Sequence, residues 1–149
     1  MELQKDFNNM GVYFTPKDVN KILLEIQKQF SQIILLRNKV ISLQEDLQRI
    51  TNEGSKLGTF IAKKQELNRE VSRLYKEIEG LEKQGIMIKS VDEGLLDFPS
   101  IRYDEEIWLC WKFGENQVKF WHRKDEGFMG RKPIPQEGFE YVDDFADLR

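Results

Sequence analysis

The chain holds one histidine and one cysteine, and both fall in the segment that carries most of its chemically capable side chains. The candidates are Asp97, Cys110, Trp111, His122, Asp125, Glu126 and Arg131. His122 with Asp97 and either Glu126 or Asp125 makes a nitrogen–oxygen ligand set for a divalent metal ion, with Cys110 as a softer donor. Zinc accepts mixed N, O and S ligands, and imidazole plus carboxylate suits other transition metals as well. Arg131 beside such an ion receives an anionic substrate or product. The spacing matches no established ligand motif, and every residue also has a plainer structural role. His122 reads as a hydrogen-bonded, half-buried side chain oriented by Asp97 or Glu126, and Cys110 as a small buried hydrophobe. Asp125-Glu126-Gly127 reads as a turn with Glu126 paired to Arg131, and Asp97 as the cap of a turn before Phe98-Pro99. A nucleophilic Cys110 needs a neighbouring base, and the strand register derived below supplies none. Gly127 to Gly130 is too short, and lacks the strand–helix setting, for a phosphate loop.

The bulk composition narrows the classes. The chain has 149 residues, with 33% charged against 40% apolar. Its mean hydropathy of −0.58 suggests an extended, surface-rich molecule of one domain. Lys and Arg total 23 against 26 Asp and Glu, a net −3. That balance argues against a general polyanion binder, which carries a basic excess to displace counterions from phosphates. One cysteine excludes a disulfide within the chain and any CxxC motif. Ile33 to Leu36 is a run of four apolar residues, and nothing approaches the roughly 20 that a transmembrane helix needs. Residues 1–10 carry no apolar signal-peptide core, so a cytoplasmic location is the expectation.

These side chains need a frame, and the chain changes character near Gly85. Eleven of the seventeen aromatics, including all three tryptophans, lie beyond it. Before it, Thr15-Pro16-Lys17-Asp18 is a helix start: Thr15 at the N-cap, Pro16 at N1 where a missing N–H costs nothing, and Asp18 at the reciprocal capping-box position. Phe14 and Val19 occupy the positions of a hydrophobic staple. One apolar column then reads Val19, Ile26, Ile33, Val40, Leu47, and a second reads Ile22, Gln29, Leu36, Leu43, Ile50. This is a coiled-coil seam, widened by Leu23, Phe30, Ile34 and Ile41. Residues 54–58 break the helix, and Thr59 can cap a second one with Phe60, Leu67, Leu74 and Leu81 in one column and Val71 and Ile78 in the other. Two long helices joined by a short turn pack antiparallel. The second is the shorter, so the uncovered stripe of the first favours self-association.

The expected fold is therefore α+β: residues 1–84 a long antiparallel helical hairpin (helices about 16–53 and 59–84), residues 85–135 a small, mainly antiparallel β unit packed on it, and residues 136–149 an acidic tail. Within the β unit, residues 85–90 and 94–99 read as short strands, the second ended by Pro99. Residues 106–113 and 118–123 flank Gly114-Glu-Asn-Gln117 as a β-hairpin. Pairing Phe113 with Val118 places Leu109 opposite His122 and Cys110 opposite Trp121. His122 then shares a face with Trp111 and Phe120, and Cys110 points the other way. The same register gathers Trp108, Trp121, Lys112, Lys119 and Arg123 on one face, the composition of a platform for single-stranded nucleic acid. The plainer reading packs both tryptophans on the helices or a partner subunit.

Three segments carry a family resemblance: "GLLDFP" (Gly94 to Pro99), "LCWKFGE" (Leu109 to Glu115) and "WHRKDEGFMGRKP" (Trp121 to Pro133). Together with the opening "FTPKDVNKILL" (Phe14 to Leu24), they resemble the prokaryotic family known as domain of unknown function 2203, over about residues 14–133. Family members often carry a proline near the position of Leu24, and this chain departs from that pattern. The resemblance implies a helical hairpin followed by the LCW and WH segments, and implies no activity.

On this evidence the leading expectation is a non-enzymatic interaction or scaffold module, assembled as a homodimer or higher oligomer through its helices and binding a protein partner through tryptophan anchors. The alternative is a metal-dependent enzyme centred on His122, Asp97 and Glu126, with Arg131 beside them. Single-stranded nucleic-acid binding ranks third, and no membrane association is expected.

Overall fold

A computed structural model describes residues 13–54 and 56–135, so the acidic tail at 136–149 lies outside the described residues. The fold is α+β. Helix α1 (Pro16–Glu53) and helix α2 (Leu57–Glu82) form a helical hairpin. Strands β1 (Met87–Ser90), β2 (Leu95–Arg102), β3 (Glu105–Lys112), β4 (Phe120–Arg123) and β5 (Lys132–Pro133) follow as an open sheet in sequence order. Every neighbouring pair is antiparallel. By packing, the chain divides into two compact units. One comprises residues 28–80, and the other residues 13–27 together with 81–135. No described helix is long and apolar enough to cross a membrane.

In the unit of residues 28–80 the two helices close over Val40, Leu43, Leu47 and Leu67, with Phe60, Val71 and Leu74 packed around them. Glu70 is buried and reaches Lys39 Nζ (3.6 Å) and Arg73 Nη1 (3.2 Å). Helix α2 begins at Leu57, so Thr59 sits inside its first turn and is not a cap; Phe60 N–H already donates to the Lys56 carbonyl.

The other unit starts with the reciprocal capping box. Asp18 N–H donates to Thr15 Oγ1 and Thr15 N–H to Asp18 Oδ2, each at 3.0 Å. Val19, Leu23 and Ile26 are buried. Phe14 packs edge-on against Phe98, ring centres 5.5 Å apart. Strand β2 runs through Pro99 to Arg102 and does not stop at the proline. Strand β1 pairs only with residues 95–97, so Pro99 lies where β2 has no strand on that side, and a missing N–H removes no ladder bond there. The Phe14 N–H reaches the Pro99 carbonyl instead (2.7 Å). The β2–β3 turn is Tyr103-Asp104, both at positive φ (50° and 63°), as a tight two-residue hairpin whose twist matches its strands requires. Gly94 enters β2 at φ +71°, and a Cβ there would stand 2.9 Å from Phe113 Cβ.

The β3–β4 connection departs from the expected hairpin. Val118 does not pair with Phe113. Its N–H donates to Asn20 Oδ1 on α1 (2.8 Å), while Phe113 N–H goes to the Gly94 carbonyl. The loop therefore spans residues 113–119, and the register shifts by one: Cys110 opposes Phe120, Leu109 opposes Trp121, and Trp108 opposes His122. Because strand side chains alternate, a one-residue slip turns a whole strand over. His122 and Phe120 join the face of Trp108 and Cys110, while Trp121 and Arg123 move to the face of Leu109 and Trp111. The five residues of the supposed nucleic-acid platform are thereby divided, and Trp108 and Trp121 are both buried.

Candidate metal centre

The pairing that corrects the register also assembles a site. Asp97 on β2 lies directly opposite Cys110 on β3, and His122 on β4 stands one diagonal step from Cys110 on the same face. Each can offer one donor atom, and the three donors lie within 4.8 Å of one another. All three residues are buried to 1% exposure. His122 Nδ1 lies 2.8 Å from the Arg123 carbonyl. A carbonyl only accepts, so Nδ1 carries a proton and Nε2 is the nitrogen turned to Asp97 Oδ1 at 3.2 Å. Backbone fixing of one ring nitrogen so that the other faces the ion is the usual support of a histidine ligand.

Two of the three donors hold their protons more tightly than usual. Burial and the neighbouring Asp97 push the Cys110 thiol up to about 12, with Arg131 acting in the opposite direction. Burial pulls His122 down, but its hydrogen bonds to Asp97 and to the Arg123 carbonyl, with the Asp97 charge behind them, outweigh it and hold the imidazole above its ordinary value. The second Asp97 oxygen, Oδ2, is buried with no hydrogen-bond partner. An orphaned buried carboxylate oxygen costs free energy, and a cation seated between the three donors removes that cost. Tetrahedral zinc with Cys, His and Asp ligands separates its donors by about 3.3–3.6 Å. The Asp97–His122 pair at 3.2 Å stands close to that spacing, and the trio, within 4.8 Å, needs only a small adjustment to reach it. The cluster can coordinate a divalent metal.

The other candidates have different places. Trp111 faces away from the trio, fully buried, with Nε1 donating to the Glu115 carbonyl (2.8 Å). Asp125 is exposed in the turn after β4. Glu126 Oε1 accepts from Arg123 N–H (3.0 Å) and Lys132 Nζ (2.6 Å). Lys132, and then the Arg123 N–H, hold its carboxyl below the usual range. Arg131 lies on the trio's side of the sheet, between the rings of Phe120 (4.0 Å) and Phe128 (4.6 Å). Its Nη2 donates to the Cys110 carbonyl (3.3 Å) and to both Glu115 oxygens (3.0 Å each). Sequence reasoning named every member of the trio, with Cys110 as a softer donor beside Glu126 or Asp125, but its register turned Cys110 away from His122. It also passed over Glu115, whose only signal was its place in "LCWKFGE".

This cluster overturns the expectation of a purely non-enzymatic scaffold. Three buried donors that could hold one metal ion argue against that reading.

The family comparison agrees in extent with the sequence resemblance. The model for "Uncharacterized conserved protein (DUF2203)" matches residues 12–134, and the chain belongs to that family. No curated protein and no solved structure matches the chain.

Proposed function

We propose that this member of the family is a metal-dependent enzyme whose ion is held by Asp97, Cys110 and His122. The convergence of three buried donors of different hardness, one with an orphaned oxygen, supports the reading above any other feature. A mixed S, N, O set suits zinc best among common divalent ions. Three protein ligands leave a fourth position for water or substrate, as in catalytic rather than structural zinc sites. An ion held by Asp97, Cys110 and His122 would supply Lewis-acid chemistry, of the kind that activates water or polarises a carbonyl. The protein supplies the rest: His122 is aimed by the Arg123 carbonyl, and burial excludes bulk water from the donors.

Cobalt is the direct test, because a Co²⁺–thiolate bond gives a near-ultraviolet charge-transfer band. Purified protein stripped with a chelator and reloaded with Co²⁺ should take up one equivalent and show the band. Cys110→Ser should lose the band, and His122→Ala should weaken binding by at least about tenfold, the usual scale for a lost ligand or its support. Uptake without the band, or no uptake, would sink the proposal and leave the trio a buried ion pair beside a thiol.

A further inference from the structure

Arg131 has hydrogen-bonding capacity that its present partners leave unused. Its guanidinium is held between Phe120 and Phe128, and its side chain is only 11% exposed. Glu115 occupies it through Nη2 alone, with both carboxylate oxygens on that one nitrogen. The neighbouring Nε is buried and has no hydrogen-bond partner. An arginine binds a carboxylate most strongly through two parallel N–H···O bonds, and here half of that fork is idle. Nη2 also reaches the backbone carbonyl of Cys110, the residue whose Sγ is a ligand of the proposed ion. Gly130 lets the Glu126 side chain approach the backbone next to Arg131: a Cβ there would meet Glu126 Cβ at 2.9 Å.

We infer that Arg131 anchors a carboxylate-bearing substrate next to the metal, and that Glu115 is a resident carboxylate which the substrate displaces. This inference rests on the metal-dependent reading for its catalytic meaning, although the anchor binds whether or not an ion is present. The incoming carboxylate engages Nε and Nη2 together, while Glu115, 21% exposed and held at Oε1 by the Lys112 N–H (2.7 Å), gives up its bonds to Nη2. Glu115 competes as a tethered ligand at high effective concentration, so removing its charge strengthens binding. Substrates lacking the carboxylate leave Glu115 in place and are rejected.

The Arg131 Nε–Hε signal in ¹⁵N–¹H NMR of the zinc-loaded protein reads the anchor directly, assigned by its absence in Arg131→Lys. Acetate should move this signal saturably, and chloride at equal ionic strength should not. In Glu115→Gln the acetate midpoint should fall about tenfold, equivalent to ~1.4 kcal/mol. A signal unmoved by acetate, moved equally by chloride, or saturating at the same concentration in Glu115→Gln overturns the inference. The cobalt band, measured on the same preparation, judges the metal reading by itself: band present with an inert Arg131 signal removes the anchor and keeps the centre.

Discussion

At the scale of single residues, the proton inventory of the trio makes the metal centre testable by pH. His122 is held above its ordinary 6.5 and Cys110 at about 12, so an arriving ion must expel protons from Nε2 and Sγ. Below the folded-state value of His122 two protons leave per ion, and affinity should climb about a hundredfold per pH unit. Above it only the thiol proton leaves, and the slope should fall to about tenfold. The metal-free protein should show the opposite sign. Both folded pKa values are raised, so each group's stabilising contribution is complete below its unfolded value and is lost as pH rises through the folded one. The His122 contribution declines above 6.5, and that of Cys110 from 9.0 toward 12. Urea midpoints across pH, with and without zinc, check this: the metal-free midpoint should drop with alkali while the zinc-induced increment grows. A zinc increment independent of pH would exclude Cys110 and His122 as ligands.

At the scale of elements, what was legible in the sequence follows the range of the interaction that decides it. The start of α1 is set by Thr15, Pro16 and Asp18 acting over three residues, and those residues alone place it at Pro16. The β3–β4 register goes with a long-range bond, in which Asn20 Oδ1 captures the Val118 N–H from 98 positions away. No local pattern between Leu109 and Arg123 contains that information. Both registers bury apolar side chains on each face, so hydrophobic alternation could not choose between them. The continuation of β2 beyond Pro99 depends likewise on where β1 ends and on Phe14. Asn20→Ala should therefore do two things. It strands a buried N–H, costing about 1–3 kcal/mol, and it frees the loop that sets His122 diagonal to Cys110. Denaturant unfolding should show the loss, and the cobalt titration should show weakened metal binding from a substitution that touches no ligand. Full stability loss with unchanged cobalt affinity would mean that the register is held elsewhere.

At the scale of the whole molecule, the division into two compact units decides how far a bound ion is felt. The three donors sit on β2, β3 and β4, all within the unit that includes residues 13–27 and the chain from Leu81. The helical core of Val40, Leu43, Leu47 and Leu67 belongs to the other unit, at 28–80. An ion that binds only the folded state adds about 2.7 kcal/mol at a hundred times its dissociation constant, but only to the cooperative unit whose unfolding releases it. The continuous helix α1 contributes to both units, which raises the question of whether they open as one. Hydrogen exchange with and without zinc separates the cases, because local and global openings protect different amides. Zinc should slow exchange in residues 95–102, 105–112 and 120–123 by about a hundredfold, the factor that 2.7 kcal/mol implies, and leave residues 35–75 near their metal-free rates. Equal slowing in both stretches would show that α1 transmits the stabilisation and that the molecule unfolds as one piece. Protection confined to the hairpin would place the ion away from Asp97, Cys110 and His122.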